Sequence, residues 1–184
     1  MKKFIANIVF FLSRWKTNYA PECLVDKCVM IAAPHTSNWD FLYTLAIFWQ
    51  REIDIKFFMK ASMANGAFGF IFRSMGAIGV DRTKRNNLVD FAAELLTNSE
   101  KLVLLVPAEG TRKRVEKWKK GFYYIAKKAN VPVVLGYLDY PKKLGGIEKI
   151  ITLTDSFEDD MQFIQDYYKD IQGKNPENYN PKIY

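Results

Sequence analysis

Short apolar runs of strand length alternate with segments of helical periodicity along most of this chain, and this alternation constrains the fold most strongly. The first apolar run, residues 28–32, is bounded by Lys27 and Pro34. After it, four apolar side chains recur on one helix face: Phe41, Leu45, Phe48 and Trp49. A strand that leads into a helix, repeated along a chain, predicts an α/β fold with helices flanking a mixed, largely parallel sheet.

The alternation continues through the rest of the chain. Further strands are predicted at residues 53–59, 77–82, 101–106, 131–138 and 147–153. Residues 61–75 are expected to be helical in parts and apolar on all sides. Two amphipathic helices are indicated by the spacing of Leu88, Phe91, Ala92, Leu95 and Leu96, and of Phe122, Ile125, Ala126 and Ala129. No repeat or linker divides the chain, so its 184 residues, 49% of them hydrophobic, suit one domain.

Three helix boundaries are also predicted. The helix around Phe122 follows a basic stretch that begins at Arg112, and we expect this stretch to be helical as well. The final helix is expected to start at an Asp155-x-x-Glu158 capping box and to stop near Gly173.

The only histidine of the chain, His35, lies in the turn that leaves the first strand. Asp40 lies in the first turn of the following helix. On one continuous helix the two would be about 140° apart, but with His35 in the preceding turn they can meet. A carboxylate on one ring nitrogen would fix the imidazole tautomer and leave the other nitrogen as a base. The alternatives are a structural histidine, and an Asp40 that serves as the capping-box partner of Ser37.

Three charged or titratable residues fall where predicted strands end. His35 follows the first strand, Arg82 ends the strand at 77–82, and Glu109 follows the strand at 101–106. In layered α/β folds, sites form where strands end and helices begin. The sequence therefore predicts a functional site that contains these residues.

The charge and the cysteine content narrow the kind of partner. A formal charge of +7 and a pI near 9.3 favour an anionic partner: nucleic acid, an anionic membrane, an acidic carrier protein or a phosphorylated substrate. Cys23 and Cys28 alone make no disulfide framework, and one histidine makes no Cys/His zinc set. We therefore expect reduced thiols in a cytosolic setting and no metal.

Residues 1–17 are predicted to form an interfacial amphipathic helix. One face is apolar: Phe4, Ile5, Ile8, Phe11, Leu12 and Trp15. Phe10 interrupts the polar side, and the run at 4–12 is too short to span a bilayer. We expect Trp15 and the lysines to lie at the level of the lipid headgroups. The alternative is a helix that docks on the protein core.

Four sequence blocks occur in an order that resembles the glycerolipid acyltransferase family, which includes lysophosphatidate and glycerol-3-phosphate acyltransferases. The blocks are the His-x4-Asp turn, the Gly-x-Ile-x-Val-Asp-Arg segment at 76–82, the Glu-Gly-Thr-Arg segment at 109–112, and the Val-Pro-Val-Val segment at 131–134. The resemblance implies a glycerol-3-phosphate acyltransferase-like fold, with residues 18–184 as the acyltransferase domain. Ala108 before the glutamate and Lys113 after the arginine depart from the common pattern, which leaves the acceptor open.

The resemblance also implies roles for individual residues. His35 is expected to be the general base and Asp40 its orienting partner. The substrate-binding residues are expected to hold the acceptor's phosphate and shape the site: Lys60, Arg82, Glu109, Gly110, Thr111 and Arg112. The strand at 131–134 is expected to lie beneath the acyl donor.

The implied function is O-acyl transfer from an acyl thioester, on acyl carrier protein or coenzyme A, to a lyso-phospholipid precursor such as 1-acylglycerol 3-phosphate. No metal or redox cofactor is implied. The basic, aromatic stretch at 112–128 would then face the carrier protein, coenzyme A phosphates or anionic lipid, so no nucleic acid is expected. The expected location is cytoplasmic, peripheral on the inner face of the cell membrane. Alternatives are transfer to another lyso-lipid, such as an amino-acid lipid, and a non-catalytic basic module that binds membrane or nucleic acid.

Overall fold

Seven strands form one sheet in the computed structural model, which describes residues 1–81 and 88–184. In chain order the strands are β1 (Lys16–Tyr19), β2 (Lys27–Ala33), β3 (Ile55–Lys60), β4 (Ala77–Val80), β5 (Leu102–Val106), β6 (Val133–Asp139) and β7 (Leu144–Ile151). The helices are α1 (Lys2–Ser13), α2 (Trp39–Gln50), α3 (Ala61–Ala64), α4 (Gly69–Ser74), α5 (Leu88–Thr97), α6 (Gly121–Ala129) and α7 (Phe157–Tyr168). Two short 3-10 turns lie at Pro21–Cys23 and Pro176–Asn178. The α/β fold predicted from the sequence is confirmed.

The strand order is β1-β7-β6-β2-β5-β3-β4, with β2 at the centre. Strands β2 to β6 are parallel, whereas β7 is antiparallel to β6 and parallel to β1. Val29 of β2 lies opposite Leu104 on one side and Val133 on the other. Because β2, β3, β4, β5 and β6 run in the same direction, their carboxyl ends meet at one edge, which we call the carboxyl edge.

Helices cover both faces of the sheet and define two cores. On one face, α5, α6 and α7 pack against side chains such as Ile31 and Leu104. On the other face, α1, α2 and α4 pack against Met30 and Val134. The alternation of Met30 and Ile31 between the two cores follows from the period of two residues along a strand. This double coverage explains why β2 reads as a continuous apolar run.

Helix α1 divides its apolar residues between the core and the surface. Ala6 and Phe10 are buried against the core, while the opposite side is exposed: Phe4, Ile5, Ile8, Phe11 and Leu12. The position expected for Trp15, at headgroup level, is wrong. Trp15 is buried and stacks on Tyr43 with ring centroids 4.3 Å apart. The boundary proposed after residue 17 lies inside β1, which begins at Lys16.

Three helix boundaries differ from those expected. Residues 112–120 are not helical, and α6 begins only at Gly121. The cap of α7 is Ser156, whose Oγ accepts a hydrogen bond from the Asp159 N–H at 3.3 Å, one residue later than the expected box. Helix α7 ends at Tyr168 and not near Gly173.

None of the helices in residues 1–81 and 88–184 is long and apolar enough to cross a bilayer.

The segment after α7 runs back along the carboxyl edge. Gln172 accepts a backbone hydrogen bond from Tyr140 at 3.0 Å, and Ile183 accepts one from Trp118 at 2.8 Å. The Ile183 side chain is fully buried. Residues 169–184 therefore form an integral part of the fold beside the end of β6.

Candidate active site

His35 and Asp40 contact each other at the carboxyl edge, where β2 leads into α2. Nδ1 of His35 lies 3.2 Å from Oδ2 of Asp40. The Ala33–Pro34 peptide is cis, and His35 lies in the turn that follows it. The contact expected from the sequence spacing is therefore present. With Nδ1 directed at the carboxylate, Nε2 is the ring nitrogen that is left for chemistry.

The Asp40 carboxylate is buried and receives hydrogen bonds from several directions. Oδ2 accepts the backbone N–H groups of Thr36 and Ser37, both at 2.8 Å, and Oδ1 accepts the Tyr140 hydroxyl at 2.6 Å. Burial by itself raises the pKa of Asp40, but hydrogen bonds from His35, Tyr140, Ser37 and Thr36 outweigh it and lower the pKa below its ordinary value. Asp40 thus remains ionised and closes the turn as well as orienting the imidazole.

Glu109 lies behind His35 and is only 3% exposed. Its Oε2 accepts the backbone N–H of His35 at 2.7 Å, while Oε1 is buried without a hydrogen-bond partner among the described residues. Burial, with a smaller contribution from the charge of Asp40, raises the pKa of Glu109 to about 8. At neutral pH this side chain is largely protonated. Residues 34–38 connect β2 to α2, and we call them the histidine turn. Glu109 supports this turn from the interior of the protein.

The turn at 107–112 brings the guanidinium of Arg112 to the histidine turn. The Gly110 N–H donates to the Pro107 carbonyl at 3.0 Å, and Gly110 has φ +71°, a conformation that favours glycine. Arg112 then reaches across so that its Nη1 donates to Oδ1 of Asn38. Thr111 is exposed, and its Oγ1 accepts the Lys113 N–H at 3.3 Å. The structure therefore joins Arg112 to the histidine turn through Asn38.

Of the two remaining candidate residues, Lys60 belongs to a strand further along the sheet. Lys60 ends β3 and is exposed at the carboxyl edge. Since β5 separates β3 from β2, Lys60 lies about 10 Å along the sheet from the end of β2. Arg82 lies outside the described residues.

An apolar pocket of about 120 Å³ opens beside His35. Its lining includes His35 and Asp40 together with the side chains of Phe41, Phe57 and Phe58. A larger cavity of about 490 Å³ lies at the opposite edge, against the first residues of β3 and β5. We assign the chemistry to the smaller pocket because it contains the imidazole and the carboxylate.

Sequence reasoning missed Tyr140 and the segment that follows α7. Tyr140 directly follows β6, so the rule that sites form at strand ends could have pointed to it. Burial and the Asp40 carboxylate raise the pKa of Tyr140, which keeps its hydroxyl protonated as a donor. Asn175 holds the same turn, because its Nδ2 donates to the Thr36 carbonyl at 2.8 Å. No sequence signal pointed to Asn175.

Fold and site together define a class: an α/β protein with a carboxylate–imidazole pair beside an apolar pocket at the carboxyl edge of a parallel sheet. Residues 16–135, more than half of the chain, match the family model described as Acyltransferase. The chain belongs to this acyltransferase family, and the protein is an acyltransferase. The glycerolipid acyltransferase resemblance noted in the sequence is confirmed.

A solved structure has a similar fold. It is the crystal structure of the 1-acyl-sn-glycerophosphate (LPA) acyltransferase PlsC from Thermotoga maritima. The match has a TM-score of 0.63 and 17% sequence identity, and it covers 91% of this chain and 75% of that one. No curated protein matches this sequence.

Proposed function

We propose that this protein transfers a fatty acyl group from an acyl thioester to a hydroxyl of a lyso-phospholipid precursor, most simply 1-acylglycerol 3-phosphate. The observation that carries the proposal is the His35–Asp40 pair beside an apolar pocket. An acyl chain needs an apolar surface, and a hydroxyl needs a base to become a nucleophile. The similar fold from Thermotoga maritima is that of an LPA acyltransferase, which supports this acceptor class.

The proposed reaction is direct transfer. Nε2 of His35 takes the proton of the acceptor hydroxyl as the hydroxyl oxygen attacks the thioester carbonyl carbon. The carbon–sulfur bond breaks, and the imidazolium gives its proton to the departing thiolate. The products are an ester and a free thiol. Asp40 holds Nδ1 and stabilises the imidazolium that forms between the two proton transfers.

Tyr140 and Glu109 act as positioning residues in this proposal. Tyr140 fixes Oδ1 of Asp40 from one side. Glu109 fixes the backbone of His35 from the other. Neither side chain is assigned to the reacting atoms, so both act through the histidine–aspartate pair.

The cations of the carboxyl edge are proposed to bind the phosphate of the acceptor. Among the described residues, Arg112 is the best placed to bind this phosphate, because its contact with Asn38 brings it to the histidine turn. A guanidinium donates two hydrogen bonds at once to a phosphate. Lys60 adds positive charge from the end of β3. Arg82, Gly110 and Thr111 keep the substrate-binding roles that the family resemblance implies.

The protein is proposed to work as a peripheral enzyme on the inner face of the cell membrane, with α1 on the lipid surface. The exposed phenylalanine, isoleucine and leucine side chains of α1 supply apolar contact. Lys2 and Lys3 pair with Asp54 and Glu52, so the exposed Arg14 and Lys16 just after α1 supply the attraction to anionic lipid. Acyl carrier protein or coenzyme A carries the donor. No metal or redox cofactor takes part in the proposed reaction.

The test offers the purified protein a panel of lyso-lipids, amino-acid lyso-lipids included, with both donor types, and identifies the products by mass spectrometry. We expect His35→Ala to lower the transfer rate by at least about 100-fold, the usual contribution of a general base, while the fold is retained. Asp40→Asn should lose less. Near-normal turnover by a well-folded H35A protein would contradict the mechanism. No product from any donor and acceptor would contradict the proposed substrates.

A further inference from the structure

Four large apolar side chains are exposed on the turn between β3 and β4. They belong to α3, α4 and their connection: Met63, Phe68, Phe70 and Ile71. Phe68 is 69% exposed and Phe70 is 63% exposed. We call these four residues the α3–α4 patch. Single exposed apolar residues are ordinary, but a cluster of this kind marks a surface for interaction.

The turn that carries the patch is held in a defined conformation. A Cβ added to Gly69 would lie 2.0 Å from the Ala64 carbonyl oxygen, so the helices are packed closely at this glycine. The Arg73 guanidinium donates to the same carbonyl. Phe72 points the other way and packs against the core. The polar groups and Phe72 thus face inward, and the rings of Phe68 and Phe70 are presented outward.

The patch lies on the same face of the sheet as the exposed side of α1. Helices α1, α2 and α4 all pack against one core. Lys2, at the start of α1, lines a small cavity together with Arg73 and Ser74 at the end of α4. The two exposed apolar surfaces therefore belong to one side of the molecule.

The charges of this side favour an anionic lipid surface as the partner. Residues 1–21 and 51–80, which contain α1, α3 and α4, have two acidic residues, Glu52 and Asp54, which pair with Lys3 at 2.8 Å and with Lys2 at 4.0 Å. Against these two acids they carry eight basic residues: Lys2, Lys3, Arg14, Lys16, Arg51, Lys56, Lys60 and Arg73. On the opposite face, α7 has four acidic residues and no basic one. Exposed aromatic side chains among basic residues are the combination that binds anionic bilayers.

Other partners fit less well. Two copies that meet through this side would bring basic segments against each other, which like charges oppose. An acidic carrier protein would complement the positive charge, but it would not account for the exposed phenyl rings.

We propose that the α3–α4 patch is a second lipid-contacting element, so that an anionic bilayer is bound by α1 and by this turn together. Since α3 begins directly after Lys60 at the carboxyl edge, binding through the turn brings the pocket beside His35 to the lipid surface. There a lyso-lipid acceptor would not have to leave the bilayer completely. The inference rests on the proposed placement of α1 at the lipid surface and extends it to a second element. It does not depend on acyl transfer, so vesicle binding and transfer activity can fail separately.

The test compares the double variant F68S/F70S with the native protein and with the control F163S. Phe163 is 45% exposed on α7, on the opposite face. Partition is measured by flotation with vesicles of equal parts phosphatidylglycerol and phosphatidylcholine. We expect F68S/F70S to lower the partition coefficient by about tenfold or more, since two partly immersed phenyl rings are lost. F163S should leave it unchanged.

A second measurement uses the native protein and so does not depend on the folding of a variant. Amide hydrogen exchange of residues 63–71 should slow when the vesicles are added, while exchange in α7 should not change. Equal partition of F68S/F70S and native protein, or unaltered exchange at 63–71, would overturn the proposal. So would loss of self-association, or of binding to an acidic carrier protein, in F68S/F70S while vesicle binding is retained.

Discussion

At the scale of single residues, Asp40 connects most of the candidate site. It contacts the His35 ring, the backbone of the same turn and the hydroxyl of Tyr140. A buried carboxylate with this many donors is held in one orientation. The orientation of the imidazole therefore depends on the backbone of its own turn and on Tyr140 as well as on Asp40.

Replacing Tyr140 by phenylalanine tests this dependence. We expect Y140F to lower kcat by roughly tenfold with little change in KM, because one hydrogen bond that orients Asp40 is lost. The folded protein lowers the pKa of Asp40, so this group stabilises the fold above the pKa of the unfolded chain and ceases to do so as pH falls. Without the Tyr140 hydroxyl the pKa of Asp40 rises, and acid unfolding should begin at a higher pH.

Tyr43→Phe is the matched control for that experiment. The Tyr43 ring stacks on Trp15 in the same aromatic cluster as Tyr140, but its hydroxyl is not among the described hydrogen-bond donors to Asp40. Steady-state kinetics and acid titration followed by circular dichroism supply both measurements. If Y43F and Y140F behaved alike, Tyr140 would have only a packing role.

Replacing Arg112 tests the proposed phosphate contact. We expect R112A to raise the KM of a phosphorylated acceptor by roughly ten- to a hundredfold, the usual contribution of a charge-assisted hydrogen bond. Lysine at this position should recover only part of the loss, because it lacks the planar fork. An unphosphorylated acceptor should be used poorly by the native protein and should lose little more in R112A.

Asn38→Ala distinguishes two possible roles of Arg112: binding the phosphate and supporting the histidine turn. It removes the partner of Arg112 within the turn but keeps the guanidinium. A two-substrate kinetic matrix should show that N38A has a much smaller effect on acceptor KM than R112A. Equal effects would assign Arg112 to the turn and not to the phosphate.

At the scale of elements, α1 contains two adjacent phenylalanines with opposite environments. Phe10 is 8% exposed and packs in the core, whereas Phe11 is 83% exposed. We expect F10A to lower the free energy of unfolding by about 2–4 kcal/mol, since a buried ring leaves a cavity. F11A should change stability by no more than about 0.5 kcal/mol but should weaken binding to anionic vesicles.

Denaturant unfolding and vesicle flotation distinguish the two residues. Deletion of residues 1–17 would not do so, because it removes the buried Phe10 and Trp15 together with the exposed face. Equal vesicle binding by native protein and F11A would contradict the assignment of this face to lipid.

The elements were predictable to the extent that their signals are local. Residues 28–32 have the apolar pattern of a buried strand, and Phe41 to Trp49 have the spacing of a helix, so both were found. Residues 112–120 have a composition compatible with a helix, but distant residues determine their conformation. The Trp118 N–H donates to the Ile183 carbonyl, and Asn180 donates to the carbonyls of Val115 and Glu116.

The site was predictable in the same measure. The contact between His35 and Asp40 depends on a turn that the local pattern indicates. The donors from Tyr140 and Asn175, and the burial of Glu109 behind His35, depend on how remote segments meet. Trp15 shows the same limit, because it lies after the end of α1 and is buried by contacts with the remote Tyr43 and Tyr140.

At the scale of the whole molecule, the buried Glu109 makes stability depend on pH. Its pKa is raised on folding from 4.5 to about 8, so between these values the folded protein keeps a proton that the unfolded chain has lost. The contribution of Glu109 to stability therefore falls as pH rises through this range, by roughly 4 kcal/mol, since one pKa unit corresponds to about 1.4 kcal/mol. Glu109→Gln should flatten that decline.

The measurement is the free energy of unfolding at several values between pH 5 and pH 8. Glutamine keeps an acceptor for the His35 N–H, so the turn should survive in E109Q. The control is Glu94→Gln, which changes an exposed acid on α5. An unchanged pH slope in E109Q would show that Glu109 is ionised in the folded protein.

The long sequence separation of the contacts that hold the histidine turn has a consequence for how the chain reaches its native state. The hydrogen bonds that fix the histidine turn join residues 74, 100 and 139 positions apart, to Glu109, Tyr140 and Asn175. Closing such long loops is entropically costly, and folding rates fall as contacts become less local. Helices α2 and α6 can form early, but the histidine turn must wait for segments from the whole length of the chain. During refolding, helical content should return before acyl transfer does.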